Sequence, residues 1–121
     1  TPARMRRVLD TIRSNNLQVI LDPVNLISIE NYRDQDRILR ESFDLLGDRI
    51  AVIHAKDFLV RDGVYTQVRT GLGRLNYRLL MGLIRMRKPC ISILLEEVDE
   101  QSVAGCIRTI QDAASGTHPD R

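Results

Sequence analysis

Three short, almost unbroken apolar runs constrain this chain more than any other feature. Leu17–Leu21, Ile50–Ile53 and Cys90–Leu95 are too short for buried helices and are bounded by turn-forming residues. That is the pattern of parallel strands covered on both faces.

Helical periodicity fills the intervals. In Thr1 to Ser14, Met5, Val8, Leu9 and Ile12 recur at i, i+3, i+4 and i+7, with Thr1 placed to cap and Pro2 at the first helical position. Asn31 opens a second helix carrying Ile38, Leu39, Phe43, Leu45 and Leu46, and Gly47 stands just past its end. Asn76 opens a third, with Leu79, Leu80, Leu83 and Ile84. Asp99 opens a last one, with Val103, Cys106, Ile107 and Ile110. The order α-β-α-β-α-β-α requires crossover connections and hence a parallel sheet, so the expected fold class is α/β. Phe58 to Leu75 reads as a long loop broken by Asp62-Gly63 and Gly71-Leu72-Gly73. Residues 1–114 then form one domain, and Ser115 to Arg121 a disordered polar tail.

A three-stranded parallel sheet leaves two free edges and a thin core, which makes it an unusual whole for 121 residues. Strands from a second copy, or from the remainder of a larger barrel, would complete it; the barrel is the expectation taken here. The chain begins without Met, so Thr1 need not start the gene product. The 18 basic and 16 acidic residues leave a net charge of +2, too small for the footprint of a nucleic-acid or anionic-membrane binder. No apolar run approaches the roughly 20 residues of a spanning helix, and the first residues do not begin a signal peptide. Cys90 and Cys106, each in an apolar stretch, read as buried thiols in a reducing compartment, so a cytoplasmic location is expected.

Each apolar run stops at an ionisable group: Asp22, then His54, then Glu96-Glu97. Their spacing is that of successive βα units, which puts them on one rim, at the carboxyl ends of parallel strands where ligands bind. Singly, each has a plain structural explanation. Asp22 before Pro23 suits a turn, His54 suits a core, and Glu96-Glu97 suits a solvated strand end or a helix start. Jointly, Asp, His and Glu donors at equivalent places fit Mg²⁺, Mn²⁺ or Zn²⁺. Lys56 shares the face of His54 and suits a hydroxyl or phosphate; Asp57 faces the other way and suits orienting a neighbour. A surface ion pair explains both equally well. Arg61 and Arg69 read as solvated loop arginines, and Gly71-Leu72-Gly73 as loop flexibility, since no strand immediately precedes it and a third glycine is missing.

In order, Leu21-Asp22-Pro23-Val24-Asn25-Leu26, Val52-Ile53-His54-Ala55-Lys56-Asp57, Gly71-Leu72-Gly73-Arg74-Leu75-Asn76-Tyr77 and Ile93-Leu94-Leu95-Glu96 resemble the C-terminal part of a sugar phosphate isomerase/epimerase of the xylose-isomerase-like TIM-barrel superfamily. The resemblance implies a partial TIM barrel, three parallel strands alternating with helices as the last three βα units of eight. It implies a divalent cation (Mn, Mg, Co or Zn) held by Glu, Asp, His and Glu on four successive strands. Asp22, His54 and Glu96 match the last three, Glu96 being preferred to Glu97 because it directly follows the apolar strand. The family's first Glu would precede Thr1. Glu96 would double as acid/base in moving a proton between adjacent carbons of a sugar or sugar phosphate, and Asn25 and Lys56 would contact that substrate. Without the first Glu, this part would be inactive alone. Asn25 departs from the His that many members carry there. Tyr65 and Gln67 stand where the superfamily's apurinic endonucleases carry zinc ligands, which argues against a nuclease. The alternative is a non-catalytic α/β module with a vestigial site, assembling through its sheet edges.

Overall fold

The computed structural model describes residues 1–116, which form four α-helices and five strands. They are α1 (Pro2–Ile12), β1 (Val19–Leu21), α2 (Gln35–Leu46), β2 (Ile50–Ala55), β3 (Asp57–Arg61), β4 (Val64–Val68), α3 (Tyr77–Arg87), β5 (Ser92–Leu95) and α4 (Val103–Ser115). β1, β2 and β5 form a parallel sheet in the order β1-β2-β5. The fold is mixed α/β, and no barrel closes among the described residues.

Local chemistry sets most of the boundaries. Thr1 Oγ1 accepts the Arg4 N–H at 3.3 Å, and Arg13, in the left-handed region at φ 44°, ends α1. Asn76 Oδ1 accepts the Leu79 N–H at 3.0 Å and starts α3. Asp99, expected to open α4, instead closes the turn before it: its Oδ1 accepts the Ser102 N–H at 2.8 Å, and α4 begins at Val103 with Ser102 as its N-cap.

Other expected helix ends differ as well. Asn31 caps nothing; its side chain accepts from Ser28 N at 2.7 Å and donates to Leu26 O at 3.1 Å, stapling the preceding loop. A 3₁₀ turn, Tyr32–Asp34, then leads into α2. Gly47, at φ −53°, is not a left-handed stop: the helix tightens into a second 3₁₀ turn, Gly47–Arg49, that feeds β2 directly. α4 runs on through Ser115, so that residue is helical rather than tail, and residues 117–121 of the expected tail lie outside the described residues.

The expected loop Phe58 to Leu75 is corrected. Its first part is a hairpin, with β3 and β4 antiparallel from Asp57↔Val68 to Arg61↔Val64. Asp62 (φ 50°) and Gly63 (φ 76°) both take positive φ, the two-residue turn whose twist matches that of the flanking strands.

The core lies on one face of the sheet. The odd-numbered strand residues Val19, Leu21, Ile53 and Ala55 are buried with Leu39, Phe43, Leu46, Leu80 and Ile84 of the helices. Beyond the register shift at Val19/Ile20, before which Ile50 is buried and Ala51 exposed, the even-numbered face is the open one: Ile20 is 59% and Leu94 51% exposed. Coverage of the strands on both faces is therefore not met among the described residues. α1 repeats the theme, since Leu9 is buried while Met5, Val8 and Ile12 are exposed. Cys106 is buried as expected, but Cys90 is exposed because Pro89-Cys90 forms a turn before β5 begins.

Candidate metal centre

The uncovered face ends in charge. Asp22 leaves β1 and caps the 3₁₀ turn Pro23–Leu26, its Oδ1 accepting the Asn25 N–H at 3.3 Å. The register pairs Leu21 with Ile53 and Ala55 with Leu95, so one residue further on Asp22 stands beside His54 and Glu96 beside Lys56. The Glu96 N–H continues the ladder, donating to Ala55 O at 3.0 Å. Because side chains alternate along a strand, all four project from the same face.

One candidate ligand atom each from Asp22, His54 and Glu96 lies within 4.8 Å of the other two. An octahedral ion about 2.1 Å from its ligands separates adjacent donors by about 3.0 Å and opposite donors by about 4.2 Å. The donor types suit a divalent cation, and their spacing is of the order such an ion requires, slightly wider than its ideal.

Lys56 stands among these groups. Its Nζ is 2.9 Å from Asp22 Oδ2 and 3.2 Å from Glu96 Oε2, while His54 Nδ1 is 2.6 Å from Glu96 Oε1. Lys56 is only 7% exposed. Burial alone would lower its pKa, but the hydrogen bonds and charges of Asp22 and Glu96 outweigh it and hold the ammonium above its ordinary value. For Glu96, burial pushes upward, and Lys56 and His54 together pull the carboxyl below its ordinary value. From beneath, the Tyr77 hydroxyl donates to the Lys56 carbonyl at 2.6 Å and is 2.8 Å from Thr70 Oγ1. Burial raises the Tyr77 phenol far above its usual range.

Asp57 is not the surface partner of Lys56. It is 2% exposed, and its carboxylate accepts backbone N–H groups from Phe58 (2.9 Å), Gly71 (3.1 Å) and Leu75 (2.8 Å). Burial raises its pKa against the pull of those donors. This gives Gly71-Leu72-Gly73 a role other than looseness. Gly71 takes φ 96°, and a Cβ on Gly73 would collide with Asp57 Oδ1 and Phe58 O. The segment is pinned one residue beyond Lys56.

Asn25 is exposed and tied to the cluster, its Nδ2 donating to Asp22 Oδ2 at 3.1 Å. Glu97 is exposed at φ 58°, so strand alternation ends before it and it does not join the group. Arg61 and Arg69 are exposed. The hairpin supplies residues that sequence reasoning missed in this role. Gln67 Nε2 donates to Asn25 Oδ1 at 3.2 Å, and the Tyr65 hydroxyl donates to Val24 O at 3.1 Å, so β4 braces the turn that aims Asp22. The Tyr65 phenol is pushed up to about 12 by burial and then by the charges of Asp22 and Asp57. Asp62-Gly63 between alternating strand-formers was the signal that could have placed both residues.

A scan against protein-family models and searches of curated proteins and of solved structures find no match to this chain.

Proposed function

We propose that this chain is part of a metal-dependent sugar or sugar-phosphate isomerase or epimerase built on a TIM barrel. The observation that carries the reading is the convergence of Asp22, His54 and Glu96 within 4.8 Å at the carboxyl ends of neighbouring parallel strands. These three residues would hold the divalent cation, whose contribution when bound is to polarise the sugar's carbonyl and hydroxyl oxygens. Glu96 carries the proton between adjacent carbons, and Asn25 and Lys56 contact sugar oxygens from either side of Asp22. The opposing acid/base comes from a strand outside this sequence.

Two features support the larger barrel. The face bearing the cluster carries Ile20 and Leu94 in the open, as the inner face of a barrel would before the other strands close over it. Beside β1, which is an edge strand of the sheet, a groove lined by Met5, Val8, Ile20 and Asn25 is open. Calorimetric titration of Mn²⁺ into the chain and into His54→Ala tests the reading. Binding by the parent that His54→Ala loses supports it; equal binding in both removes His54 and, with it, the centre.

The second reading is a non-catalytic α/β module that assembles through its sheet edges. It is favoured by the Lys56 ammonium, which lies 2.9 Å and 3.2 Å from the two carboxylates and offsets their charge. A parent that binds no Mn²⁺ but self-associates in sedimentation would establish it.

A further inference from the structure

Every carboxylate oxygen in the cluster is already engaged. Asp22 Oδ1 accepts from Asn25 N, Asp22 Oδ2 from Asn25 Nδ2 and Lys56, Glu96 Oε1 faces His54, and Glu96 Oε2 faces Lys56. Each of these oxygens can accept more than one partner, so an entering cation need not clear them all, but it comes to lie directly beside the groups already there. The backbone N–H and the Asn25 amide are fixed by the 3₁₀ turn and by Gln67. Lys56 is different, because its charge is at the end of a flexible four-carbon stem beside the uncovered face. An ion bound to Asp22 Oδ2 at about 2.1 Å would also stand no more than about 5 Å from the Lys56 ammonium, 2.9 Å from the same oxygen. Two such cations repel, the more so because the Lys56 and Asp22 side chains are themselves little exposed.

Resting on the metal-centre reading, we propose that Lys56 is the built-in counter-cation of this site: it holds Asp22 and Glu96 together without metal, and a divalent ion loads by displacing its ammonium. Lys56 thus sets how tightly the ion binds. Once displaced, its ammonium lies against the open face, where a sugar hydroxyl or phosphate oxygen can take the place of the lost carboxylates. The lysine has two alternative partners, and the ion selects between them.

The test is Mn²⁺ binding to the 121-residue chain, read by calorimetry and by the electron paramagnetic resonance signal of free Mn²⁺. The variants are Lys56→Met, Lys56→Gln and His54→Ala, each checked for folding by circular dichroism. Removing the ammonium should tighten Mn²⁺ binding by about tenfold or more, in the range by which groups around metal ligands tune affinity. The metal-free Lys56 variants should melt below the parent and recover most of the loss on adding Mn²⁺, a recovery larger than the parent shows. Lys56→Gln keeps the length and polarity of the site should Lys56→Met fail to fold. If the parent binds Mn²⁺ and His54→Ala does not, yet both Lys56 variants bind no more tightly than the parent, the displacement idea falls and the metal centre stands. If neither the parent nor any Lys56 variant binds Mn²⁺, both fall together.

Discussion

The two faces of the sheet are built from the same three strands and have opposite fates. On the odd-numbered face, Ile53 and its neighbours are sealed under the helices; on the even-numbered face, Ile20 and Leu94 are open and lead up to Asp22, His54, Lys56 and Glu96. Burial and chemistry are divided between alternate residues. One face supplies the hydrophobic stabilisation that holds the strands in register, which leaves the other free to carry charges whose mutual positions depend on that register. The division is sharpest at Lys56 and Asp57. Adjacent and both buried, the first joins the cluster and the second pins the loop behind it.

The largest effect that would sharpen this contrast comes from truncating the sealed face. Phe43 and Ile53 are fully buried, and replacing them by Ala should cost about 3–5 and about 2–5 kcal/mol respectively, through lost transfer free energy and the cavity left behind. Urea denaturation measures it. A loss below about 1 kcal/mol at both positions would mean that the helices do not form the core described.

Next in size is Asp57→Ala. It removes the acceptor of three backbone N–H groups in one buried place, and at roughly 1–3 kcal/mol for each donor left unpaired, partly offset by loop rearrangement, a loss of about 3 kcal/mol is expected. Gly73→Ala should act in the same direction, because its Cβ meets the same carboxylate. Hydrogen exchange at Gly71 and Leu75 locates the damage: their amides should lose protection in Asp57→Ala and keep it in Lys56→Met.

These residues also measure how far the sequence could be read. The apolar runs, the caps at Thr1 and Asn76, and the equivalence of Asp22, His54 and Glu96 as strand ends follow from local pattern, and the parallel sheet follows from them. The hairpin was equally local, yet Asp62-Gly63 reads as a breaker unless the alternation of Phe58 to Arg61 and Val64 to Val68 is weighed with it. Two features were not local at all. An apolar run has the same composition whether its second face is covered by this chain or by something else, so Ile20 and Leu94 gave no sign of being open. That Lys56 reaches both Asp22 and Glu96 depends on the register of three strands, although its shared face with His54 was visible from alternation.

A smaller effect separates the faces by pH. Glu96 titrates below its ordinary value in the folded chain, so it adds stability that is present above about pH 4.5 and is lost as the pH falls through its folded value. Asp57 titrates above its ordinary value, so its charged form works against folding, and acidification relieves that cost. The acid limb of the parent is the balance of the two. Glu96→Gln should be less stable near neutrality and lose less on going from about pH 6 to pH 3, whereas Asp57→Asn should lose more than the parent over that range. Melting midpoints across the interval check the signs, and the same slope in all three would show that neither carboxylate is where its face puts it.

The smallest expected effect says most about what covers the open face. Leu94 lies on β5 two residues before Glu96 and is half exposed. In this chain Leu94→Ser should change stability by no more than about 0.5 kcal/mol, as for other substitutions away from the core. In a longer polypeptide that closes a barrel over this face, the same side chain would be interior, and the substitution would remove a buried leucine and leave a hydroxyl needing a partner, at a cost of about 2–5 kcal/mol. Measuring Leu94→Ser in both contexts, with Ile53→Ala as the control that is costly in each, separates the barrel from the self-standing module. If Leu94→Ser stays neutral in the longer protein while Ile53→Ala is costly in both, no barrel interior covers this face, and the cluster above it works at an open surface.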